Sequence, residues 1–182
     1  MAIEIEKKYR LTKERREQVL ENLKEISAEY KGEDFEENSI YQGDFLVENG
    51  AVLRIRKTAD KTILTYKKRI RNEFTVKQQI EYETEVADAD AIEKIIENLG
   101  CVKTLVYEKR RKTWRFRQVE IVLDELPFGS FMEIEGSITA IAEAEMFLDA
   151  EDFEVEHETY PGLTGKLGKL NDDVIEARFG RK

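Results

Sequence analysis

The sequence contains few of the residues that build disulfide frameworks, zinc sites or nucleophilic triads. Cys101 is the only cysteine and His157 the only histidine among 182 residues. One cysteine excludes an internal disulfide, and one histidine leaves a His-rich zinc site or a Ser-His-Asp triad without its usual partners. We expect Cys101 to be a small residue near the core and His157 to be exposed or structural.

Long apolar runs and prolines are also scarce. No apolar stretch approaches the roughly 18 residues of a membrane-spanning helix, and the N-terminus lacks the apolar segment of a signal peptide. We therefore expect a cytoplasmic protein that does not bind membranes. Because there are only two prolines and no low-complexity linker, we expect a single domain over residues 1–182.

Charged residues are abundant. The chain has 39 acidic and 30 basic residues, a formal net charge of −9 and a sequence pI of about 5.0. This net charge argues against a general binder of nucleic acid or of anionic membranes. Carboxylates are hard oxygen ligands for magnesium or manganese, and the side chains of Lys and Arg donate hydrogen bonds to phosphate.

Three segments show the spacing of amphipathic helices. Apolar residues recur at helical intervals in residues 13–26, in residues 89–99 and, more weakly, in residues 139–148. Thr12 is placed to cap the first helix, and an aspartate at position 88 or 90 is placed to cap the second.

Between the helical segments lie stretches with strand character. They read AVLRIRK, KTILTYKKR, QQIEYETEV, LVYEKRRKTWRF, VEIVLDEL and SFMEIEG. Asn49-Gly50 and Ala59-Asp60 predict turns between strands. This order predicts an α+β protein with a large antiparallel sheet or barrel and a few helices packed outside.

The predicted strands alternate charged and apolar residues. In EIEKKYR, residues 4–10, the charged side chains share one face, and Ile5 and Tyr9 share the other. Two arrangements fit this alternation in at least six strands: a sheet with solvated charged faces, or a barrel with helices outside and charges in its lumen. In a lumen, like charges repel by roughly 4 kcal/mol per close pair at an effective dielectric near 20, and an anion with a divalent cation would relieve that repulsion.

The ordered set of charged motifs resembles the CYTH superfamily, the triphosphate tunnel metalloenzymes. One acid-x-acid pair means little in so acidic a chain, but the set extends over residues 4–163. It comprises E-x-E-x-K at residues 4–8, R-x-R at 54–56, L-T-x-K at 64–67, E-x-E at 81–83, K-x-R at 109–111, Asp124, E-x-E at 133–135, and Thr159-Tyr160 followed by Leu163.

The resemblance implies an eight-stranded antiparallel β-barrel that forms a tunnel with a charged lumen. It implies that six cations bind the triphosphate and carry catalysis: Lys8, Arg54, Arg56, Lys67, Lys109 and Arg111. It also implies that seven carboxylates hold one or two Mg²⁺ or Mn²⁺ ions, directly or through water: Glu4, Glu6, Glu81, Glu83, Asp124, Glu133 and Glu135.

Three functions are compatible with this resemblance. The first is hydrolysis of inorganic or organic triphosphate, such as thiamine triphosphate or ATP. The second is class IV adenylyl cyclase activity, which converts ATP to cyclic AMP and pyrophosphate. The third is a non-catalytic polyphosphate- or nucleotide-binding module. An exposed barrel flank is compatible with a homodimer, and the segment after Leu163 fits a tunnel lid and a frayed tail equally well.

Overall fold

The computed structural model describes residues 3–70 and 77–180, without the side chains of residues 3, 4, 69, 77 and 78. The strands in this part of the chain are β1 (Ile3–Leu11), β2 (Glu29–Gln42), β3 (Ala51–Lys57), β4 (Thr62–Ile70), β5 (Lys77–Val86), β6 (Val102–Phe116), β7 (Val119–Leu126), β8 (Gly129–Glu135), β9 (Lys169–Asn171) and β10 (Val174–Ala177). The helices are α1 (Lys13–Glu25), α2 (Asp44–Glu48), α3 (Ala89–Asn98), α4 (Ile138–Leu148) and α5 (Tyr160–Leu167).

The first eight strands form a ring. They pair in the order β2-β3-β4-β5-β1-β8-β7-β6, and β2 pairs in turn with β6, so each of the eight has a neighbour on both sides. All pairings within the ring are antiparallel. This confirms the expected α+β fold with an eight-stranded antiparallel barrel. Because successive side chains of a strand alternate between faces, each strand contributes one inner and one outer row.

The main apolar core lies on the outer face of the ring. Tyr9 of β1, Met132 and Ile134 of β8 are fully buried there, beneath Leu23 of α1 and Leu148 of α4. The outer row of these strands is therefore the apolar one. The alternate positions, which carry the charges, face the lumen.

The three predicted helices are confirmed, and so are the caps predicted for the first two. The Thr12 side chain accepts a hydrogen bond from the backbone N–H of Arg15 at 3.2 Å, and Asp88 accepts one from Ala91 at 2.9 Å. The third helix begins at Ile138 after the cap residue Ser137. No helix within the described residues combines the length and the apolar character needed to cross a membrane.

Two local expectations differ from the structure. The sequence analysis did not predict β2, because the first seven residues of EYKGEDFEENSIYQ include four exposed charged residues and a glycine. Asn49-Gly50 is a turn, but it connects α2 to β3 rather than two strands, and Gly50 adopts a left-handed φ of 61°. The turn at Ala59-Asp60 does connect two strands, β3 and β4.

The C-terminal segment is ordered along the ring. β9 and β10 form an antiparallel pair, and β10 adds to β6 in parallel from Ile175, opposite Leu105, to Ala177, opposite Tyr107. Backbone hydrogen bonds therefore hold residues 174–177 against the barrel, and the frayed-tail alternative is wrong for them.

The outer core makes a prediction about stability. Leu148→Ala should lower the free energy of unfolding by about 2–5 kcal/mol, because it leaves a cavity beneath α4 at a fully buried position. Urea unfolding measures this change. Met146 lies on the same helix but is 69% exposed, so Met146→Ala should change the same quantity by no more than about 0.5 kcal/mol. Equal losses from the two variants would contradict the assigned core face of α4.

Candidate functional site

The ring brings all six predicted cations to its inner face. Lys8 and Lys109 are each 2% exposed and Arg54 is 9% exposed. Each of the six lies within 4 Å of at least one carboxylate, and the carboxylates come from β2, β5, β7 and β8. The lumen is therefore an ionic interior in which cations and carboxylates pair across strands.

One half of the network lies on β1, β6, β7 and β8. The guanidinium group of Arg111 holds Asp124 with two hydrogen bonds, Nε to Oδ1 at 2.7 Å and Nη2 to Oδ2 at 2.5 Å. Nη2 also donates to Oε2 of Glu133 at 2.6 Å, and Lys8 Nζ lies 3.2 Å from Oε1 of the same carboxylate. Asp124 and Glu133 raise the pKa of Arg111 well above its ordinary value, although burial acts in the opposite direction.

The other half lies on β3, β4 and β5. Arg54 Nη2 lies 3.1 Å from Glu83 Oε1 and 3.5 Å from Glu81 Oε1. Lys67 Nζ lies 2.5 Å from Glu81 Oε2, and Arg56 Nη2 lies 3.1 Å from Glu83 Oε1. Burial alone would raise the pKa of Glu83, but hydrogen bonds and the two guanidinium groups lower it below its ordinary value.

Glu36 of β2 joins the two halves. Lys109 Nζ lies 3.4 Å from both Glu36 Oε2 and Asp124 Oδ2, and Arg56 Nη1 lies 3.9 Å from Glu36 Oε1. Glu36 is 3% exposed and accepts a hydrogen bond from Asn38 Nδ2 at 3.2 Å. The sequence analysis missed Glu36 because it missed β2. Nothing in the acid-rich stretch EDFEEN marks Glu36 as the buried residue, so no local signal in the sequence would have found it.

The charges around Glu36 set its protonation. Burial would raise the pKa of Glu36, but Lys109, Arg111, Arg56 and Arg54 together outweigh burial and lower it to about 2. Glu36 is therefore ionised at neutral pH. Burial and the neighbouring Arg111 lower the pKa of Lys109, while Asp124 and Glu36 act to raise it.

One end of the lumen is filled by α5. The centroid of the Tyr160 ring lies 3.7 Å from Lys8 Nζ and 5.3 Å from Lys109 Nζ. The Tyr160 hydroxyl donates a hydrogen bond to Asp124 Oδ2 at 2.8 Å. Burial and Asp124 raise the pKa of Tyr160 well above its ordinary value, so the hydroxyl keeps its proton. Beyond Tyr160 the inner rows become apolar, with Phe131 fully buried.

The remaining predicted carboxylates lie on β1 and β8, away from α5. Glu6 of β1 stands opposite Glu135 of β8, which stands opposite Glu120 of β7. Residues opposite one another in an antiparallel pair have Cα atoms about 4.5–5.5 Å apart, so three carboxylates share one row of the sheet. The backbone of Glu4 lies two residues before Glu6 in β1, but its side chain falls outside the described part of the structure.

The carboxylates provide the right donor type for a hard divalent cation, but they are not gathered into a preformed cage. Glu81, Glu83, Asp124 and Glu133 each lie against a Lys or Arg side chain. Within the described residues, no three or more side chains of His, Cys, Asp or Glu come close enough together to hold a metal ion. The oxygen donors on β1, β7 and β8 fit magnesium or manganese by their chemistry, and both ions usually keep several waters.

Two arginines present unused donors in the lumen. The Nε atoms of Arg54 and Arg56 are buried and have no hydrogen-bond partner among the described residues. A buried donor without a partner costs roughly 1–3 kcal/mol. These two N–H groups therefore favour a ligand rich in hydrogen-bond acceptors.

Comparison with solved structures places this architecture among known folds. The PH1012 protein of Pyrococcus horikoshii superposes with a TM-score of 0.75 at 23% identity, over 86% of this chain and 96% of that chain. A candidate adenylate cyclase of Vibrio parahaemolyticus gives a TM-score of 0.68 at 22% identity, over 87% of this chain and 95% of that one. A dominant triphosphatase activity is described for the candidate adenylyl cyclase HpAC1 of Hippeastrum. It gives a TM-score of 0.70 at 18% identity, over 94% of this chain and 98% of that one. At these identities the likeness establishes the fold.

Comparison of the sequence gives the family. No curated protein matches the sequence in a direct search. The family model of the CYTH domain matches residues 2–160, which include every charged residue of the lumen described above. This chain belongs to the CYTH family.

Proposed function

We propose that this protein is a divalent-metal-dependent hydrolase of inorganic or organic triphosphate, held in the charged lumen of the barrel. CYTH proteins are a triphosphate-processing family, and the CYTH triphosphate tunnel enzymes depend on a divalent metal. The observation that carries the proposal is the connected cluster of six cations, in which Arg54 and Arg56 keep buried donors without hydrogen-bond partners in the described part of the chain.

The cation cluster suits a polyphosphate in number and in kind. Arginine offers a planar fork to phosphate oxygens and lysine a compact charge, and the lumen contains three of each. Catalysis of phosphoryl transfer consists mainly of positioning and charge stabilisation. In this proposal Arg54, Arg56 and Lys67 orient one part of the triphosphate, while Lys8, Lys109 and Arg111 orient another.

The carboxylates are proposed to hold the metal. Seven carboxylates on strands that border the cations are assigned to this group: Glu4, Glu6, Glu81, Glu83, Asp124, Glu133 and Glu135. When bound, a divalent cation supplies positive charge to phosphate oxygens and lowers the pKa of a bound water. Arg56 and Arg54 help to lower the pKa of Glu83 below its ordinary value, which keeps this carboxylate ionised at neutral pH.

A polar cavity lies beside the carboxylate row. It measures about 450 Å³ and is lined by Arg115, Gln118, Glu120, Glu135 and Ser137, together with Ile5 and Gly136. Sites for organic ligands are lined mostly by apolar and aromatic side chains. This cavity therefore offers an adenine ring little apolar surface.

Product analysis tests the proposal. The purified protein should convert inorganic triphosphate, thiamine triphosphate or ATP to orthophosphate and a diphosphate product when magnesium or manganese is present, and EDTA should abolish the reaction. Glu6→Gln should remove metal-dependent turnover, because it replaces a carboxylate of the proposed ligand row by a neutral amide. Chromatography resolves the products, and the fastest substrate identifies the activity.

The outcomes separate the candidate functions. Cyclic AMP with pyrophosphate from ATP would make the protein a cyclase, and binding without turnover would make it a polyphosphate- or nucleotide-binding module. Glu125, which pairs with Arg110 in an exposed contact, supplies the control. Glu125→Gln should keep wild-type turnover, and normal turnover by Glu6→Gln would remove Glu6 from the metal site.

Binding tests the cation cluster independently of turnover. Arg56→Ala should weaken the binding of inorganic triphosphate by roughly 1.5–3 kcal/mol, because it removes a charge-assisted hydrogen bond to a phosphate oxygen. Isothermal titration calorimetry measures the affinity.

The neighbouring residue Lys57 provides the matched control for Arg56. It points to the outer face, where its Nζ lies 2.8 Å from Glu93 Oε1. Lys57→Ala removes the same formal charge but should leave the affinity for triphosphate within about a factor of two of wild type, as expected for a screened charge outside the lumen. Unchanged affinity in Arg56→Ala would exclude Arg56 from the binding cluster.

A further inference from the structure

Glu36 places a negative charge among the cations that the proposed function assigns to the triphosphate. It contacts Lys109 at 3.4 Å and Arg56 at 3.9 Å, and it belongs to β2, the strand that closes the ring against β6. Its side chain is almost completely buried. Any anion bound to these two cations therefore lies near a carboxylate that solvent does not screen.

Each of the two cations that contact Glu36 has a second carboxylate nearby. Lys109 has a second carboxylate, Asp124, at 3.4 Å, and Arg56 has a second one, Glu83, at 3.1 Å. Without Glu36, each of its two partners would still have an ion pair. These second carboxylates are shared, because Asp124 also pairs with Arg111 and Glu83 also pairs with Arg54. Removing the charge of Glu36 would therefore leave more positive charge on Lys109 and Arg56 for a bound anion.

The structure holds Glu36 both in place and in the charged form. Asn38 is fully buried two residues further along β2, and its Nδ2 donates to Glu36 Oε2 at 3.2 Å. The surrounding cations lower the pKa of Glu36 to about 2, so it does not accept a proton at neutral pH. A bound anion meets a fixed negative charge rather than a group that can be neutralised.

We propose that Glu36 is a specificity-determining residue that lowers the affinity of the lumen for metal-free polyphosphate. The inference rests on the proposed function, since it concerns the same cation cluster. The repulsion between Glu36 and the ligand grows with the charge of the ligand. Metal-free polyphosphate, which carries the full charge, is therefore disfavoured most, and a polyphosphate whose charge is partly neutralised is disfavoured less.

Titration of the full-length protein with inorganic triphosphate in EDTA tests this inference. Glu36→Gln keeps the size of the side chain and removes its charge. It should bind metal-free triphosphate at least about tenfold more tightly than the wild type. Removing one like charge about 10 Å away has that effect at an effective dielectric near 20, and an anion on Lys109 or Arg56 would lie closer to Glu36 than this. A purely structural defect would weaken binding instead. Equal or weaker binding by Glu36→Gln overturns the proposal.

Glu93 provides the matched control. It is also held by two lysines, Lys57 at 2.8 Å and Lys103 at 2.9 Å, and its pKa is also lowered to about 2, but these contacts lie on the outer face under α3. Glu93→Gln should leave triphosphate binding unchanged. An equal gain in affinity from Glu93→Gln would show an effect of net charge alone and would overturn the proposal.

A second variant covers the case in which thermal melting shows that Glu36→Gln does not fold. Glu36→Ala also removes the charge and should likewise bind metal-free triphosphate at least about tenfold more tightly than the wild type, and equal or weaker binding overturns the proposal. Failure of the proposed function looks different, because the wild type would then neither bind nor convert triphosphate with magnesium present. If the wild type does so and Glu36→Gln gains no affinity, only the inference about Glu36 fails.

Discussion

The pairing of buried charges inside the ring is the constraint on which the rest of the structure depends. A buried charge without a partner costs several kcal/mol, so the inner rows are tolerable only while cations and carboxylates meet across strands. The partners lie far apart in sequence, as in the contact of Lys8 with Glu133. The ionic interior therefore requires the strands to pair in the observed order and in a single register.

Register matters more here than in an ordinary sheet. A slip of one residue in β8 would turn Glu133 outward and bring Met132 or Ile134 into the lumen. It would break the ionic network and the outer core together, because both depend on the same alternation. Helices α1 and α4 thus support the site indirectly, since the apolar face that they cover fixes which residues point inward.

The sequence was sufficient to predict three helices, the caps of two of them, most of the strands and the charged motifs, because each depends on local periodicity. It was not sufficient to decide whether the charged faces meet water or a lumen. The alternation is the same in both cases, and closure depends on the pairing of β2 with β6. That strand has exposed polar residues through most of its first half, and its role comes from two partners distant in sequence.

The residues missed within the site have the same explanation. Glu36 lies in an acid-rich stretch where nothing local distinguishes it from the exposed glutamates beside it. Tyr160 was visible in the sequence, but its position against Lys8 and Asp124 arises only when α5 packs over the end of the barrel. The six cations were predicted from the resemblance of their motifs to the CYTH superfamily, and each motif lies within a single strand.

The parallel addition of β10 to β6 bears on self-association. β7 pairs with β6 only at residues 110–116, and β10 pairs with residues 105–107, the part of β6 that β7 does not reach. The outer edge of the sheet at this point is therefore β9. Unpaired edges are templates on which other chains can add a strand and aggregate. β9 is three residues long and exposed throughout, and it begins with Lys169. A strand this short with a lysine on it is a poor template, so the chain gains the contacts of its C-terminal hairpin with little risk of edge-to-edge aggregation.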